Sequence, residues 1–319
     1  MPDTLPTFED ILAAAARIAP HAHTTPVLTS REIDAEAGMS LYFKAEPLQR
    51  GGAFKFRGAC NAVWSLGDEQ ARRGVVTHSS GNHGAALALA ARTRGIACHV
   101  VVPQGAVATK LANIARYGAV LHRCEANVAA REATCARIER DTGASLIHPF
   151  TDPAVIAGQG TASLELHNAH GPFDAVITPV GGGGLISGTA IAMHAVAPGC
   201  RVYGAEPQGA DDTARSLAAG ERLPDFVPDT ICDGLRTPVG EPNFAVLQTH
   251  DVDVLVADDG ETIAAMRLLW QCLKLVVEPS SAVALAALLK HRDRFRGQRV
   301  GVVLSGGNVD IDALPWSRG

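Results

Sequence analysis

KAEPLQRGGAFKFRGA, residues 44–59, is the stretch on which this chain turns. Lys55 stands between Phe54 and Phe56, just after the flexible pair Gly51 and Gly52. The chain has only five lysines (44, 55, 110, 274 and 290) among its 28 lysines and arginines. A lysine set between aromatic side chains in so lysine-poor a sequence is a candidate nucleophile. Partial burial lowers an amine's pKa and frees its lone pair for Schiff-base chemistry. A plainer reading stays open, in which the stem of a surface lysine covers apolar neighbours.

On either side of this stretch, short β-rich runs alternate with alanine-rich helical ones. VVTHSS (75–80) leads into a helix, as do CHVVVP (98–103), AVLHRC (119–124) and AVITPVG (175–181). Further strands are expected at 41–46, VYGAEP, DVDVLVADD and VGVVLSGGN, and a helix over 7–19 with Thr7 as its cap. Continuous apolar strands between helices predict parallel sheets wrapped by helices, the α/β class. Three strand-to-helix turns are glycine-rich: SSGNHG (79–84), GGGGL (181–185) and SGGN (305–308). Glycine lets backbone N–H groups approach an anion, and the helix N-terminus adds positive potential. Gly181, Gly182, Gly183 and Gly184 therefore read as a phosphate cup, with tight packing or a hinge as the bland alternative. A GxGxxG started at Gly181 meets Ile186 in its last position, and one started at Gly182 meets Ser187. No GxxxxGK[ST], HExxH or GxSxG occurs either. A phosphate cup without a nucleotide fingerprint, plus a candidate Schiff-base lysine, points to pyridoxal 5′-phosphate (PLP).

Composition narrows the class further. The 319 residues allow two domains or one large one, and 47% hydrophobic content supplies a sizeable core. A net charge of −5 without a basic block gives no footprint for nucleic acid. Seven scattered cysteines without a CxxC argue against a disulfide framework and for a reducing, cytoplasmic setting. No apolar run reaches transmembrane length, so no membrane association is expected.

The order of KAEPLQRGGAFKFRGA, THSSGNHG, PVGGGGL, AEP-x₂-ADD, the DG at 233–234 and VLSGGNVD resembles the serine racemase and serine/threonine dehydratase family. The likeness spans roughly residues 40–310. It implies fold type II of the PLP enzymes: two open, twisted, mostly parallel sheets, with a large domain (1–66 and 147–319) interrupted by a small mobile one (67–146). By resemblance, Lys55 carries the cofactor, Phe54 packs near its ring and Asn82 contacts its 3′-oxygen. Gly181 to Gly184 hold the phosphate, and Ser305 faces the pyridine nitrogen. Ser79, Ser80, Asn82 and His83 receive the substrate carboxylate, and Ser80 is the candidate second acid/base. Glu206, the Ala210 carbonyl and Asp212 imply a divalent cation site for Mg²⁺, Mn²⁺ or Ca²⁺. Hard cations need such oxygen ligands, although the cluster also reads as a capped helix start. Two departures stand out. Ala53 replaces a serine common in the lysine motif, and Ala85 replaces a glutamine of the animal nucleotide-effector site, which weighs against ATP activation.

These implications describe a homodimeric dehydratase (ammonia-lyase) that acts on a small β-hydroxy-α-amino acid. A serine opposite the pyridine nitrogen is too weak an acid to keep it protonated, which favours β-elimination over transamination. CDGLRTPVG (232–240) brings Arg236 and Thr237 to a loop that lies near the substrate in the family. A guanidinium fork suits a second carboxylate. That favours 3-hydroxyaspartate over serine or threonine, unless Arg236 pairs with a surface acid or covers the loop instead. An amino-acid racemase using Lys55 and Ser80 is the near alternative, and a non-catalytic relative of the same fold the remote one.

Overall fold

The apolar runs form ten strands among the described residues, 5–316 of this computed structural model. They are β1 (Val27–Leu28), β2 (Ser40–Ala45), β3 (Val75–His78), β4 (Cys98–Pro103), β5 (Val120–Cys124), β6 (Ser145–Leu146), β7 (Ala175–Pro179), β8 (Arg201–Pro207), β9 (Asp253–Ala257) and β10 (Arg299–Leu304). The first helices are α1 (Phe8–Ile18), α2 (Arg31–Ala37), α3 (Lys55–Ser65), α4 (Asp68–Arg73), α5 (Asn82–Arg94), α6 (Ala108–Arg116) and α7 (Val128–Thr142). After them come α8 (Pro153–His170), α9 (Gly184–Val196), α10 (Asp212–Ala219), α11 (Glu241–Thr249), α12 (Asp259–Leu273) and α13 (Pro279–Lys290). None of the described helices is long and apolar enough to cross a membrane.

The chain divides into two compact units. The first runs up to Ala22 and resumes at Lys55–Gly158; the second holds His23–Phe54 and everything from Gln159 onward. The segment 67–146, expected from the sequence as the interrupting domain, lies inside the first unit. That unit also takes in α1, α3 and the start of α8.

In the second unit a six-stranded sheet runs β1-β2-β10-β7-β8-β9, parallel except for β1. β7, in the middle, is buried at every position, which is why AVITP reads as an unbroken apolar run. The carboxyl ends of β2, β10, β7 and β8 lead into the Lys55 stretch, the SGGN turn, the tetraglycine and the AEP segment respectively. Ligands of open parallel sheets bind at such ends. In the first unit a parallel four-stranded sheet runs β5-β4-β3-β6. The core around α3 and α5 includes Phe56, Ala59, Cys60 and Val63 of α3. Thr7 caps α1 in a reciprocal box with Asp10, as its position predicts.

Lys55 opens an eleven-residue helix, α3, shortly after the glycine pair. Gly51 and Gly52 both adopt φ 75°, turning the chain into the helix.

Candidate active site

The SGGN turn after β10 holds the approach to Lys55 in place. The Phe54 N–H donates to the Ser305 carbonyl at 2.9 Å, the Gly307 N–H donates to Gly52 O at 2.9 Å, and Ala53 bridges Gly306. Four residues before the helix are thus bound to a turn some 250 positions away in sequence. Asn308 adds a side-chain bond to the Gly51 carbonyl at 2.8 Å. Gly307 has no room for a side chain, since a Cβ there would lie 2.4 Å from the Val276 carbonyl oxygen. Ser305 itself is buried. Glu278, the N-cap of α13, packs against Gly306 and donates its N–H to that residue's carbonyl at 3.0 Å.

Within the first unit, Lys55 Nζ donates to the Pro149 carbonyl at 3.1 Å, and burial pushes the amine down to about 8. Lys44 contrasts with it. It is buried against Glu165 at 2.7 Å and the Thr25 carbonyl at 2.7 Å, the setting of a structural cation. Three histidines gather near Lys55. β3 and β6 pair Val75 with Ser145 and Val76 with Leu146, and continuing that register brings His78 beside His148. Their rings lie 5.0 Å apart, edge to face. His148 is pushed down to about 3 by burial, then by His78 and Lys55. Its Nδ1 accepts the Thr151 N–H at 3.2 Å, so the neutral ring carries its proton on Nε2. Burial also holds His83 well below the usual range, with the Lys55 charge as the second cause. All three are therefore neutral near pH 7. His148 had no signal in the sequence alone, because it is the strand register that places it.

The serine turn follows β3. The Gly81 N–H donates to Ser79 Oγ at 3.3 Å, and α5 starts at Asn82 without a side-chain cap. Gly84 is obligatory: a Cβ there would lie 2.3 Å from the Ser79 carbonyl oxygen. Ser79, Ser80 and Asn82 are partly accessible and His83 is buried, so the first three can reach a ligand at the helix N-terminus.

The tetraglycine turn in the second unit packs equally tightly. Gly183 has φ 93°, and a Cβ on it would stand 2.7 Å from the Asn243 Cβ. A Cβ on Gly181 would approach Leu235 Cα to 3.1 Å, so the DG segment lies directly against this turn. Gly183 caps α9 without a side chain. The N–H groups of the first turn of α9 are thus left to an external acceptor.

A family model described as pyridoxal-phosphate dependent enzyme matches residues 18–306. The chain belongs to that family. It is 48% identical to the β-hydroxyaspartate dehydratase of Paracoccus denitrificans over 98% of this chain and 99% of the relative. It is 42% identical to the L-threo-3-hydroxyaspartate ammonia-lyase of Saccharomyces cerevisiae, over 96% and 94%. The crystal structure of serine racemase from Dictyostelium discoideum superposes with a TM-score of 0.92 at 48% identity, covering 96% of this chain and 99% of that one. The fold type II class expected from the sequence is the class of the structure.

The residues present fit PLP on two observations. A side chain on Gly183 would clash with Asn243 and one on Gly181 would crowd Leu235, so bare backbone is kept at both positions, as a phosphate cradle requires. Lys55 combines burial with a lowered pKa, as condensation with an aldehyde requires.

Glu206 and Asp212 form a second candidate site, within the second unit. Both are buried, at 0% and 1% exposure. Thr213 and Ala214 donate their N–H groups to the Glu206 carboxylate at 3.2 and 2.9 Å, and Val239 donates to Asp212 Oδ2 at 2.9 Å. Asp212 Oδ1 is buried without a hydrogen-bond partner. Burial, then the Asp212 charge, pushes Glu206 up to about 8; burial pushes Asp212 up to about 6. Two desolvated carboxylates and an orphaned oxygen fit a hard cation. Asp211 turns the other way, onto Arg215 at 2.7 Å. Ala210 ends the short turn Gln208–Ala210 and is buried.

Arg236 is exposed at the end of the turn Asp233–Leu235. Its Nε and Nη2 both donate to the Thr230 carbonyl, at 3.2 and 2.5 Å. Among the described residues no ion pair joins it to an acidic side chain, and its two bonds run to the backbone of its own loop. One edge of the guanidinium is engaged by backbone.

Proposed function

We propose that this protein is a PLP-dependent dehydratase (ammonia-lyase) that converts 3-hydroxyaspartate to a 2-oxo acid and ammonia. The observation that carries the reaction class is Lys55, a buried amine of lowered pKa on a chain anchored to the Ser305 turn. The full-length likeness to a β-hydroxyaspartate dehydratase favours the substrate.

PLP, when bound, supplies the electron sink that makes the substrate's α-proton removable. Lys55 is the residue that holds the cofactor aldehyde and takes that proton. Gly181 to Gly184 would hold the phosphate, Phe54 and Asn82 would line the ring, and Ser305 would offer the pyridine nitrogen no strong acid. The N–H groups opening α5, with Ser79, Ser80 and Asn82, would orient the α-carboxylate, while buried His83 backs that turn. The α-hydrogen and β-hydroxyl depart together as water, and hydrolysis of the resulting imine releases ammonia. A divalent cation on Glu206, Asp212 and the Ala210 carbonyl braces the fold rather than the chemistry. The same reading places the enzyme in the cytoplasm as a homodimer. An assay of 2-oxo acid release from serine, threonine and the 3-hydroxyaspartate isomers tests the reading; a preference for serine would sink the substrate assignment.

Arg236 is the residue for the second carboxylate in this reading. Charge-assisted hydrogen bonds contribute about 1.5–3 kcal/mol, or roughly ten- to a hundredfold in specificity. Arg236→Ala should therefore cost at least about tenfold in kcat/KM for 3-hydroxyaspartate and spare serine. An equal loss on both would make the arginine structural, through its two bonds to Thr230.

Serine racemases stand among the relatives at 48% identity, so racemisation is the second reading. A racemase needs an acid/base on each face of the cofactor, a dehydratase chiefly Lys55. Ser80→Ala should abolish any interconversion of enantiomers while measurable elimination persists. Proportional loss of both activities would give Ser80 a binding role.

A further inference from the structure

Away from the residues assigned above, two histidines of the first unit meet across neighbouring strands. His99 is the second residue of β4, and His122 lies in the middle of the edge strand β5. The parallel register pairs His99 with Val120 and Val101 with His122, so both imidazoles project from one face of the sheet. Val101 and Cys124, on that same face, pack against Cys135 and Ile138 of α7. The rings are 5.2 Å apart, and His99 Nδ1 stands 3.0 Å from His122 Nε2. Both histidines are only partly buried, so solvent and solutes reach them.

We propose that His99 and His122 form a two-imidazole binding site for a borderline transition-metal ion, Ni²⁺ or Cu²⁺, that nothing in the dehydratase reading uses. Metal–nitrogen bonds of about 2.0–2.1 Å meeting at a right angle put their nitrogens about 2.9 Å apart, whereas a tetrahedral angle needs about 3.3 Å. The 3.0 Å in the metal-free pair is the span of a ring-to-ring hydrogen bond and falls between those values, so the ion is selected by ligand type: imidazole suits Cu²⁺ and Ni²⁺, and Cu²⁺ stands highest in the affinity order. Waters complete the coordination, since the described residues hold no group of three or more acidic, histidine or cysteine ligands.

Binding exchanges one interaction for two. In the metal-free pair one ring N–H donates to the other ring's lone pair. On binding, that proton moves to the far nitrogen of its own ring and the two partly exposed rings turn so that both lone pairs converge on the metal, so no proton need leave the protein. Desolvation keeps both rings neutral, the form that ligates. His99, then Arg137 of α7, also disfavours charge on His122, and Arg137 is itself paired with Asp141 at 3.8 Å. A bound ion would link β4 to β5 across the whole of α6 and so stabilise the first unit.

The test uses holoenzyme saturated with Mg²⁺, so that oxygen-ligand sites are already filled. Calorimetric titration with Ni²⁺ should show one ion per chain and raise the melting temperature. In His99→Gln and in His122→Gln, affinity should fall by at least about tenfold and the thermal shift should disappear. Electron paramagnetic resonance of the wild type with one equivalent of Cu²⁺ should show two imidazole nitrogens, which needs no variant to fold. Undiminished Ni²⁺ binding in either variant, or a Cu²⁺ spectrum with fewer than two nitrogen ligands, would falsify the site. The His194/His250 pair, with rings 4.9 Å apart, would then be the place to look.

Discussion

Lys55→Ala should lower kcat/KM for elimination by about a thousandfold or more, the largest effect of any single substitution in this chain. The variant keeps the glycine turn that excludes side chains, so cofactor should still copurify while its covalent attachment is lost. Borohydride reduction of the wild type followed by peptide mapping should place the label on residue 55. The rival lysine is instructive. Lys44 is buried too, at 1% exposure, yet it sits 2.7 Å from Glu165, and a carboxylate partner favours the charged ammonium. Lys55 donates to a neutral carbonyl, and it is burial that lowers its pKa to about 8 and makes the lone pair more available. Label at Lys44 or Lys110 would overturn the assignment.

Chelation should destabilise the protein, and by an amount that depends on pH. A cation held at a hundredfold excess over its dissociation constant stabilises the folded state by about 2.7 kcal/mol, and for a chain of this size that is roughly 4 °C in melting temperature. The sign of the pH dependence follows from the two carboxyls. Without a cation, burial raises Glu206 to about 8 and Asp212 to about 6, from ordinary values of 4.5 and 3.8. Between those limits the folded chain binds more protons than the unfolded one, so the chelated protein should lose stability as pH rises from about 4 to 8. The cation offsets that loss by satisfying the ionised forms. The chelator-induced drop in melting temperature should therefore be small at pH 5 and large at pH 8, and should vanish in Asp212→Asn. The same drop in that variant would mean that Glu206 and Asp212 serve only as caps for α10 and the loop at Val239.

Much of this was legible in the linear sequence because its causes are local. Apolar runs such as AVITP, the Thr7–Asp10 box and the three glycine turns carry their conformations within a few residues. The turns also announced their chemistry, since backbone that must approach an anion has to be glycine. The sequence could place Lys55 beside a flexible pair, but not at the first position of a helix. The helix start depends on bonds from Gly52 and Phe54 to residues 307 and 305. In the same way Asp211 and Asp212 are adjacent and chemically alike, and only the fold sends one to Arg215 and buries the other with an unpartnered oxygen. The meetings of His78 with His148 and of His99 with His122 depend on strand register, which couples residues tens of positions apart. A residue's type and near neighbours set what it can do; burial and distant partners, which only the tertiary structure supplies, set its protonation and what it faces.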